Sequence, residues 1–306
     1  MKSRLNSRHS QRARSFRLFT LLLPAMILLF VFYYLPLYGI VISFQDYSPW
    51  LGVTKSPWVG IKHYVRFLTD PVFWNVLKNT LVISFWDIAI GFTAPILFAI
   101  CVSEIANRKF KVVVQTISYL PNFLSWIIVS TLFFQIFSPY ASGLANRLFG
   151  LFGIEPLTYL SNPAFFKPMV VMADVWKNVG WSAILYFATM AGIDQSLYEA
   201  AYIDGAGRIK QIIHITLPGM APIISLQFLL KLSNIFNVGF DRVFLLSNPA
   251  IGSSGDVIST YIYRVGLTQS QFSLTTAIGL VQSLIGFTIL VVANKASKRI
   301  TGLGLY

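Results

Sequence analysis

The amino-acid sequence predicts an all-α protein, a polytopic helical bundle that crosses a membrane six times. Hydrophobic residues make up 55% of the 306 residues and charged residues only 11%, proportions that do not suit a soluble surface. Six segments are long and apolar enough to cross a bilayer core of about 30 Å as helices. Long alternating strands typical of a membrane β-barrel are absent from the sequence. The six predicted spans are 18–42, 80–103, 112–137, 169–191, 217–238 and 273–294.

The first predicted span follows a basic tail, an arrangement that signal peptides share. It is too long for a signal peptide and has no small-residue cleavage site, so we interpret it as a retained span. Pro24, Pro36 and Gly39 predict kinks in it, which neighbouring helices tolerate in a membrane. In the second and third spans, Asp87 and Asn122 are interpreted as structural polar groups.

The distribution of Lys and Arg predicts the orientation of the chain. The acid-free tail 1–17, the loops around 108–111 and 208–210, and the end 295–306 are basic and lie on one side of a six-span chain. Both termini are therefore expected in the cytoplasm, flanking a membrane domain over 18–294. The tail is interpreted as a topology determinant and lipid anchor, not as a nucleic-acid arm. The opposite loops are longer and more mixed in charge, and 61–68 is predicted to form an amphipathic helix in the interface.

Several classes of enzyme and metal site are excluded by the sequence. No phosphate-binding loop and no nucleophile elbow occur, so no catalytic site is predicted and any ATP hydrolysis belongs to another subunit. His9, His63 and His214 lie on separate segments without metal-ligand spacing, and Cys101 is the one cysteine. We therefore expect no metal and no cofactor-binding residue in this chain.

The loop after the fourth span is strongly patterned. Ser196 and Glu199 have capping-box spacing, which predicts a helix that begins at Ser196. Asp204 and Gly205 predict a turn in which Gly205 takes a positive φ. A second short helix should follow, and Thr216 should cap the next span with Pro218 in its first turn. The pattern predicts two short helices joined at a rigid elbow.

This loop resembles the EAA loop of ABC importer permease subunits. The resemblance implies the transmembrane domain of a type I importer, in which loop 192–217 is a coupling helix that seats in a cleft of a cytoplasmic ATPase. Glu199 would then pair with a basic residue of that ATPase. It can also act as a helix-cap partner, and both roles can hold together. Segments 59–81, 175–194, 240–249 and 260–267 also resemble carbohydrate permeases, particularly the LplB-like and alginate-type polysaccharide branch. The residues that carry the loop motif are Glu199, Ala200, Ala201, Asp204, Gly205, Ala206, Leu217 and Pro218.

Polar residues inside the fourth and fifth spans are candidates for a solute path, because charges at bilayer depth must be paired or hydrated. Asp174 and Lys177 stand three residues apart and can pair on one helical face. That pair is either a self-neutralising structural pair or part of the path. A polar stripe that begins at Lys231 is hard to explain against lipid. The predicted path residues are Asp174, Trp176, Lys177, Asn178, Trp181, Asn234, Asn237 and Asp241.

The resemblance implies the membrane subunit of a bacterial ABC importer for oligosaccharides or polysaccharide fragments, in the cytoplasmic (inner) membrane. The implied partners are a second permease, two ATPases that hold ATP and magnesium, and an extracytoplasmic solute-binding protein docking on loops 43–77, 138–168 and 239–272. The excess of cations in these loops mildly favours an anionic saccharide. The alternatives are an ion-coupled secondary transporter, which would need inverted repeats that the sequence does not show, and a membrane scaffold.

Overall fold

The computed structural model describes residues 19–138, 143–159, 161–302 and 304. Within these residues the secondary structure is helical, apart from one isolated bridge between Gln45 and Trp58. The all-α prediction is therefore confirmed. The predicted basic tail 1–17 lies outside the described residues.

One compact unit contains residues up to Phe67 together with Ser270–Leu280. Its first helix, α1 (Phe19–Phe44), is the first predicted span, and none of its most apolar window is buried. Its side chains are exposed from residue 19 to residue 38, as a lipid-facing helix requires. Two short helices follow, α2 (Gly52–Lys55) and α3 (Lys62–Thr69).

Helix α3 coincides with the predicted amphipathic segment, and it buries His63 and Phe67. The Asp46 carboxylate accepts from Lys62 Nζ at 2.7 Å and lies 3.1 Å from His63 Nε2. The hydrogen bond from Lys62 lowers the pKa of Asp46 below its usual value. The polar face of α3 is thus tied to the loop that follows α1.

The second unit contains Leu68–Gln269 and Val281–Tyr306. Its first long helix is followed by a bent pair of helices, one short helix and a 29-residue helix, and three short helices and two long ones come after that. The last helix is shared by the two units. In order, the helices are α4 (Pro71–Ser103), α5 (Arg108–Phe123), α6 (Trp126–Ile136), α7 (Leu144–Gly150), α8 (Pro163–Ala191), α9 (Gln195–Ile203), α10 (Arg208–Ser233), α11 (Phe240–Leu246), α12 (Ile258–Ile262, continued by Tyr263–Thr268) and α13 (Phe272–Thr301).

Helix α8 supplies residues to both of the apolar clusters that form the core of this unit. Val170 and Ala173 belong to one cluster, and Ala183 and Tyr186 belong to the other. Between them, a Cβ at Gly180 would collide with the backbone of Ser118 in α5. The missing side chain therefore allows α5 and α8 to approach closely.

The number of membrane crossings stays a prediction, although four helices, α1, α4, α10 and α13, have the required length and apolar composition. The third predicted span, 112–137, is wrong as a single helix because α5 and α6 meet at 104°. Pro121 cannot donate a helical hydrogen bond, Leu124 is extended, and Ser125 caps α6 by accepting from the Ile128 N–H at 3.4 Å. The fourth predicted span lies within α8, which is long enough to cross but carries charged side chains.

Candidate functional site

The predicted coupling loop begins with a helix that is capped by Asp194. Its Oδ1 accepts from the Ser196 N–H at 3.0 Å, and helix α9 starts at Gln195. The prediction that Ser196 caps this helix is therefore wrong, because the carboxylate of Asp194 is also a good cap and satisfies the first N–H groups. The same hydrogen bond lowers the pKa of Asp194.

This change of register removes the capping role considered for Glu199. Glu199 lies in the fifth position of α9, too far from the N-terminus to complete a capping box. Its side chain is exposed, and within the described residues it has neither a hydrogen bond nor an ion pair. Glu199 is thus left available for a contact outside the chain.

The other end of α9 is closed by a Schellman motif. The Ala206 N–H donates to the Ala201 carbonyl at 2.8 Å, and the Gly205 N–H donates to the Tyr202 carbonyl at 3.0 Å. Gly205 has a φ of +73°, which confirms the predicted positive φ. The turn after α9 is therefore fixed by backbone hydrogen bonds and one left-handed residue.

The second short helix is not separate from the following span. Helix α10 begins at Arg208 and continues through a π-helical turn, Ile212–Thr216, into the membrane. The prediction that Thr216 caps a new helix at Pro218 is wrong, since Thr216 has helical φ and ψ and makes no cap hydrogen bond. A wider π-helical turn just before Pro218 accommodates the missing N–H without ending the helix.

Two contacts hold α9 and the turn after it against α10. The Thr216 Oγ1 lies 3.0 Å from the Tyr198 hydroxyl, and Gln211 Nε2 donates to the Ala206 carbonyl at 3.0 Å. Arg208 also pairs with Glu104, just after α4, at 3.2 Å. A cavity of about 460 Å³ lies behind these contacts. The loop is thus braced against α4 and α10.

The outer surface of the loop is apolar and exposed. Tyr202, Ile203 and Ile209 are 79%, 83% and 73% exposed, and Leu197 and Ile213 are about half exposed. Exposed large apolar side chains grouped in one loop mark a surface that another protein covers. The arrangement provides an apolar contact surface with the carboxylate of Glu199 on the same helix.

The contact between Tyr198 and Thr216 leads to a prediction. Replacing Tyr198 with phenylalanine removes a hydrogen bond worth about 1 kcal/mol, which corresponds to roughly a fivefold effect on an equilibrium. We expect the initial rate of solute uptake by the assembled transporter to fall two- to fivefold. Thr216→Val should have the same effect, and the double variant should be no worse than either single one. Additive losses would contradict a direct coupling between the two hydroxyls.

A second set of polar groups lies inside the helical bundle and centres on Arg242. Its guanidinium is 5% exposed and forms ion pairs with Asp87 and, at 3.3 Å, with Asp174. The predicted pairing of Asp174 with Lys177 is therefore wrong. Asp174 also accepts from Asn178 Nδ2 at 2.9 Å. The buried cation joins the π-helical turn of α4 to α8 and α11.

The ammonium of Lys177 is held by the bend between α5 and α6. It donates to the carbonyls of Asn122 and Leu124, both at 2.6 Å, and to the carbonyl of Pro121 at 3.3 Å. The Pro121 carbonyl also accepts from the Leu124 N–H at 3.2 Å. Carbonyls at the end of a helix need partners outside the helix, so a buried cation is a fitting partner for those at this bend. The amide of Asn122 also donates to Asn178 at 2.9 Å. Lys177 and Asn178 thus stabilise the broken helix from α8.

A cavity of about 500 Å³ is lined by three residues that the sequence analysis named as candidates for a solute path, Trp181, Lys231 and Asn234. Tyr186 and Gln227 also line it. Among the remaining predicted path residues, Trp176 packs against Phe133 at 6.2 Å between ring centroids. The other two residues lie outside this cavity: Asn237 accepts from the Gly239 N–H at 3.3 Å, and Asp241 is exposed in the first turn of α11.

The sequence interpretation missed Arg242, which lies within the predicted outer loop 239–272. The structure instead buries this residue among the helices. A signal was present, because two acidic residues inside predicted spans, Asp87 and Asp174, require a cationic partner. Only Lys177 was considered for that role, since it is close in sequence.

Comparisons with known proteins place this chain among permeases. A family model described as "Binding-protein-dependent transport system inner membrane component" matches residues 91–302. The polygalacturonan/rhamnogalacturonan transport system permease protein YteP of Bacillus subtilis (strain 168) is 41% identical over 289 residues, 94% of this chain and 90% of YteP. Protein LplB of the same organism is 38% identical over 94% of this chain and 91% of LplB.

A solved structure gives the same result for the fold. A chain of the bacterial alginate ABC transporter, crystallised in complex with an alginate pentasaccharide-bound periplasmic protein, is similar with a TM-score of 0.88 and 34% identity. The similarity covers 97% of this chain and 99% of that chain. The exposed loop, Asp174, Lys177 and Arg242 fall within the residues that the family model matches.

Proposed function

The chain belongs to the family of binding-protein-dependent transport system inner membrane components, and from this premise we propose that it imports oligosaccharides or polysaccharide fragments. It is a multi-pass permease subunit of an ABC importer in the inner membrane, not the ATPase. The proposed substrate is supported by relatives that match nearly the whole chain and whose names refer to polygalacturonan, rhamnogalacturonan and alginate. The same similarity favours this function over an ion-coupled transporter.

The observation that carries the mechanism is the rigid, exposed loop that continues directly into α10. In our proposal, loop 192–217 seats in a cleft of a cytoplasmic ATPase, with Glu199 paired to a cation of that subunit. Ala200, Ala201, Asp204 and Ala206 form the close contact, and Leu217 and Pro218 begin the membrane part of α10. Because α9 is braced on α10, closure of the ATPases on ATP and magnesium would move this helix and bias the inward- and outward-open states.

The remaining subunits of the importer are also part of this proposal. A second permease completes the path, two ATPases supply the energy, and an extracytoplasmic binding protein delivers the saccharide. The termini lie in the cytoplasm together with the coupling loop. No nucleic acid is involved, and ATP and magnesium are bound by the ATPases alone.

Inside the membrane, we assign different roles to two sets of polar residues, those that line the cavity and those around Arg242 and the α5–α6 bend. Trp181, Lys231 and Asn234 line the cavity and would contact the saccharide, with an aromatic face, a cation and an amide as binding groups. The second set does not contact the saccharide in this proposal. Lys177 and Asn178 hold the bend between α5 and α6, and Asp174 holds Arg242. Trp176, Asn237 and Asp241 are proposed to complete the path toward the partner permease.

Transport energetics test this proposal. The complete importer is reconstituted in proteoliposomes, and uptake of a labelled oligogalacturonide is measured with and without an uncoupler at constant ATP. Uptake should require ATP and persist with the uncoupler. Uptake that collapses with the uncoupler would show ion coupling and contradict the proposal.

Substitution of Lys231 tests whether this residue contacts the saccharide in the proposed translocation path. We expect Lys231→Met to raise the KM for trigalacturonate at least tenfold, because a charge-assisted hydrogen bond is worth about 1.5–3 kcal/mol. The KM for maltotriose, if that neutral sugar is imported, should change less than threefold. Lys295→Met, at an exposed position of α13, is the matched control. An unchanged KM for the acidic sugar in Lys231→Met would remove Lys231 from the path.

A further inference from the structure

A third cavity, of about 670 Å³, lies at the end of α4 opposite the coupling loop. Val72 and Asn75, in the first turns of α4, contribute to its wall, whereas Glu104, just after the last turn, pairs with Arg208 of the coupling loop. A helix of 33 residues is about 50 Å long, so the cavity and the loop are separated by the thickness of a membrane. If the loop is cytoplasmic, this cavity opens on the extracytoplasmic side.

One wall of the cavity is aromatic. Phe244 of α11 and Tyr263 after α12 are 43% and 37% exposed, and their ring centroids lie 5.3 Å apart in a T-shaped arrangement. Phe240 packs behind both, with centroid distances of 4.9 Å to Phe244 and 5.1 Å to Tyr263. Three packed rings form a rigid surface against which the C–H face of a sugar ring can stack.

The other wall carries polar groups and a cation. Arg264 and Asp256 form an ion pair, and Asp256 also accepts from the Thr260 hydroxyl at 2.6 Å. Arg264 is 48% exposed in its side chain, and its Nη2 donates to Asp256. A guanidinium carries five N–H donors in a planar fork that suits a carboxylate. The remaining donors are therefore available to an acidic ligand, while Asn75 and Asn248 add amide groups.

The cavity is held open by a buried scaffold. Asn79 donates to the carbonyls of Ser253 and Asp256, both at 2.9 Å, and accepts from Lys167 Nζ at 2.7 Å. The Ile258 N–H donates to the Thr80 hydroxyl at 3.0 Å. These bonds fix the polar wall to α4, so binding a ligand would require little ordering.

We propose that this cavity is an outer binding site for one uronic acid residue of the imported saccharide. The sugar ring packs against Phe244 and Tyr263, and its carboxylate pairs with Arg264. The inference rests on the proposed function. It adds that a carboxylate of the saccharide is recognised by the permease and that the saccharide has a second binding position on this chain. The cavity is distinct from the one lined by Trp181 and Lys231, because none of its lining residues is shared with that cavity.

A fluorescent reporter tests the site directly. Phe244→Trp keeps an aromatic face in the wall, and the complex of permeases and ATPases carrying it is placed in nanodiscs without nucleotide and without the binding protein. Titration with trigalacturonate should give a saturable change in tryptophan emission. Phe85→Trp, a matched variant at an exposed position of α4, should show no such change. Adding Arg264→Gln to Phe244→Trp should raise the Kd at least tenfold, and maltotriose should bind at least tenfold more weakly.

The outcomes separate this inference from the function on which it rests. No saturable change in Phe244→Trp, in a complex that still imports trigalacturonate, would overturn the outer site and leave the proposed function intact. Equal binding of both sugars, or an unchanged Kd with Arg264→Gln in a complex of unaltered thermal stability, would overturn the assignment of a uronic acid. Failure of the unmodified complex to import any oligosaccharide would overturn both proposals.

Discussion

Replacement of Gly205 by valine is expected to abolish saccharide import while the chain still folds and inserts into the membrane. Gly205 has a φ of +73°, a conformation that costs a residue with a side chain about 1–2 kcal/mol and a β-branched residue more. A Cβ at this position meets no atom within 4 Å, so the effect comes from the backbone alone. The strain would be relieved by breaking the Schellman hydrogen bonds, which separates Glu199 from the residues after the turn.

The loss should exceed tenfold, because the coupling surface works only when both halves of the loop keep their relative positions. Import and the ATPase activity stimulated by the loaded binding protein are the measurements. Asparagine tolerates a positive φ better than other residues with side chains, so Gly205→Asn should lie between Gly205→Val and the parent. Gly207→Ala is the matched control, since Gly207 has a φ of −70° and open space around it.

Full import by Gly205→Val would show that the turn does not transmit force. Loss of the protein from the membrane would point to a folding defect instead, and Gly205→Asn then keeps the prediction testable. Because Gly205 lines neither of the two proposed saccharide cavities, its substitution should leave the affinity for the saccharide unchanged.

The coupling loop shows which local features a sequence predicts well. The positive φ of Gly205 is a local feature, and the adjacent pair Asp204-Gly205 predicts it. The start of α9 did not follow, because Asp194 and Ser196 are both good caps and only the observed hydrogen bond distinguishes them. The continuity of α10 was also missed, since a proline usually marks a helix start and the π-helical turn that accommodates it has no sequence signature.

The membrane interior shows why long-range features were harder to predict. Hydropathy recognises 112–137 as apolar but does not register a 104° bend, which is stabilised by Lys177 from α8, far along the chain. Likewise, the sequence indicates that Asp87 and Asp174 need partners without indicating which cation provides them. The residues of the ion network come from three separate segments, and only the fold brings them together.

Replacement of Arg242 by methionine is expected to destabilise the protein severely. The change leaves the buried carboxylate of Asp87 and the partly buried carboxylate of Asp174 without their cation, and breaking a buried ion pair in this way costs about 3–5 kcal/mol. We expect a much lower yield of monodisperse protein in detergent and a large fall in the midpoint of thermal unfolding. Arg264→Met is the matched control, because its ion pair is partly exposed and such pairs contribute at most about 1 kcal/mol.

A variant that removes all three charges of the network shows whether Arg242 stabilises the protein through its charge or through its packing. The triple variant Arg242→Met, Asp87→Asn, Asp174→Asn replaces the ion network with neutral groups of similar shape, and buried ion pairs replaced in this way are often no less stable than the originals. It should therefore recover most of the yield and of the unfolding midpoint lost in Arg242→Met. A triple variant as unstable as the single one would mean that the shape and hydrogen bonds of Arg242, not its charge, hold α4, α8 and α11 together. Saccharide import by the recovered triple variant then reports whether the buried charges serve transport as well as folding.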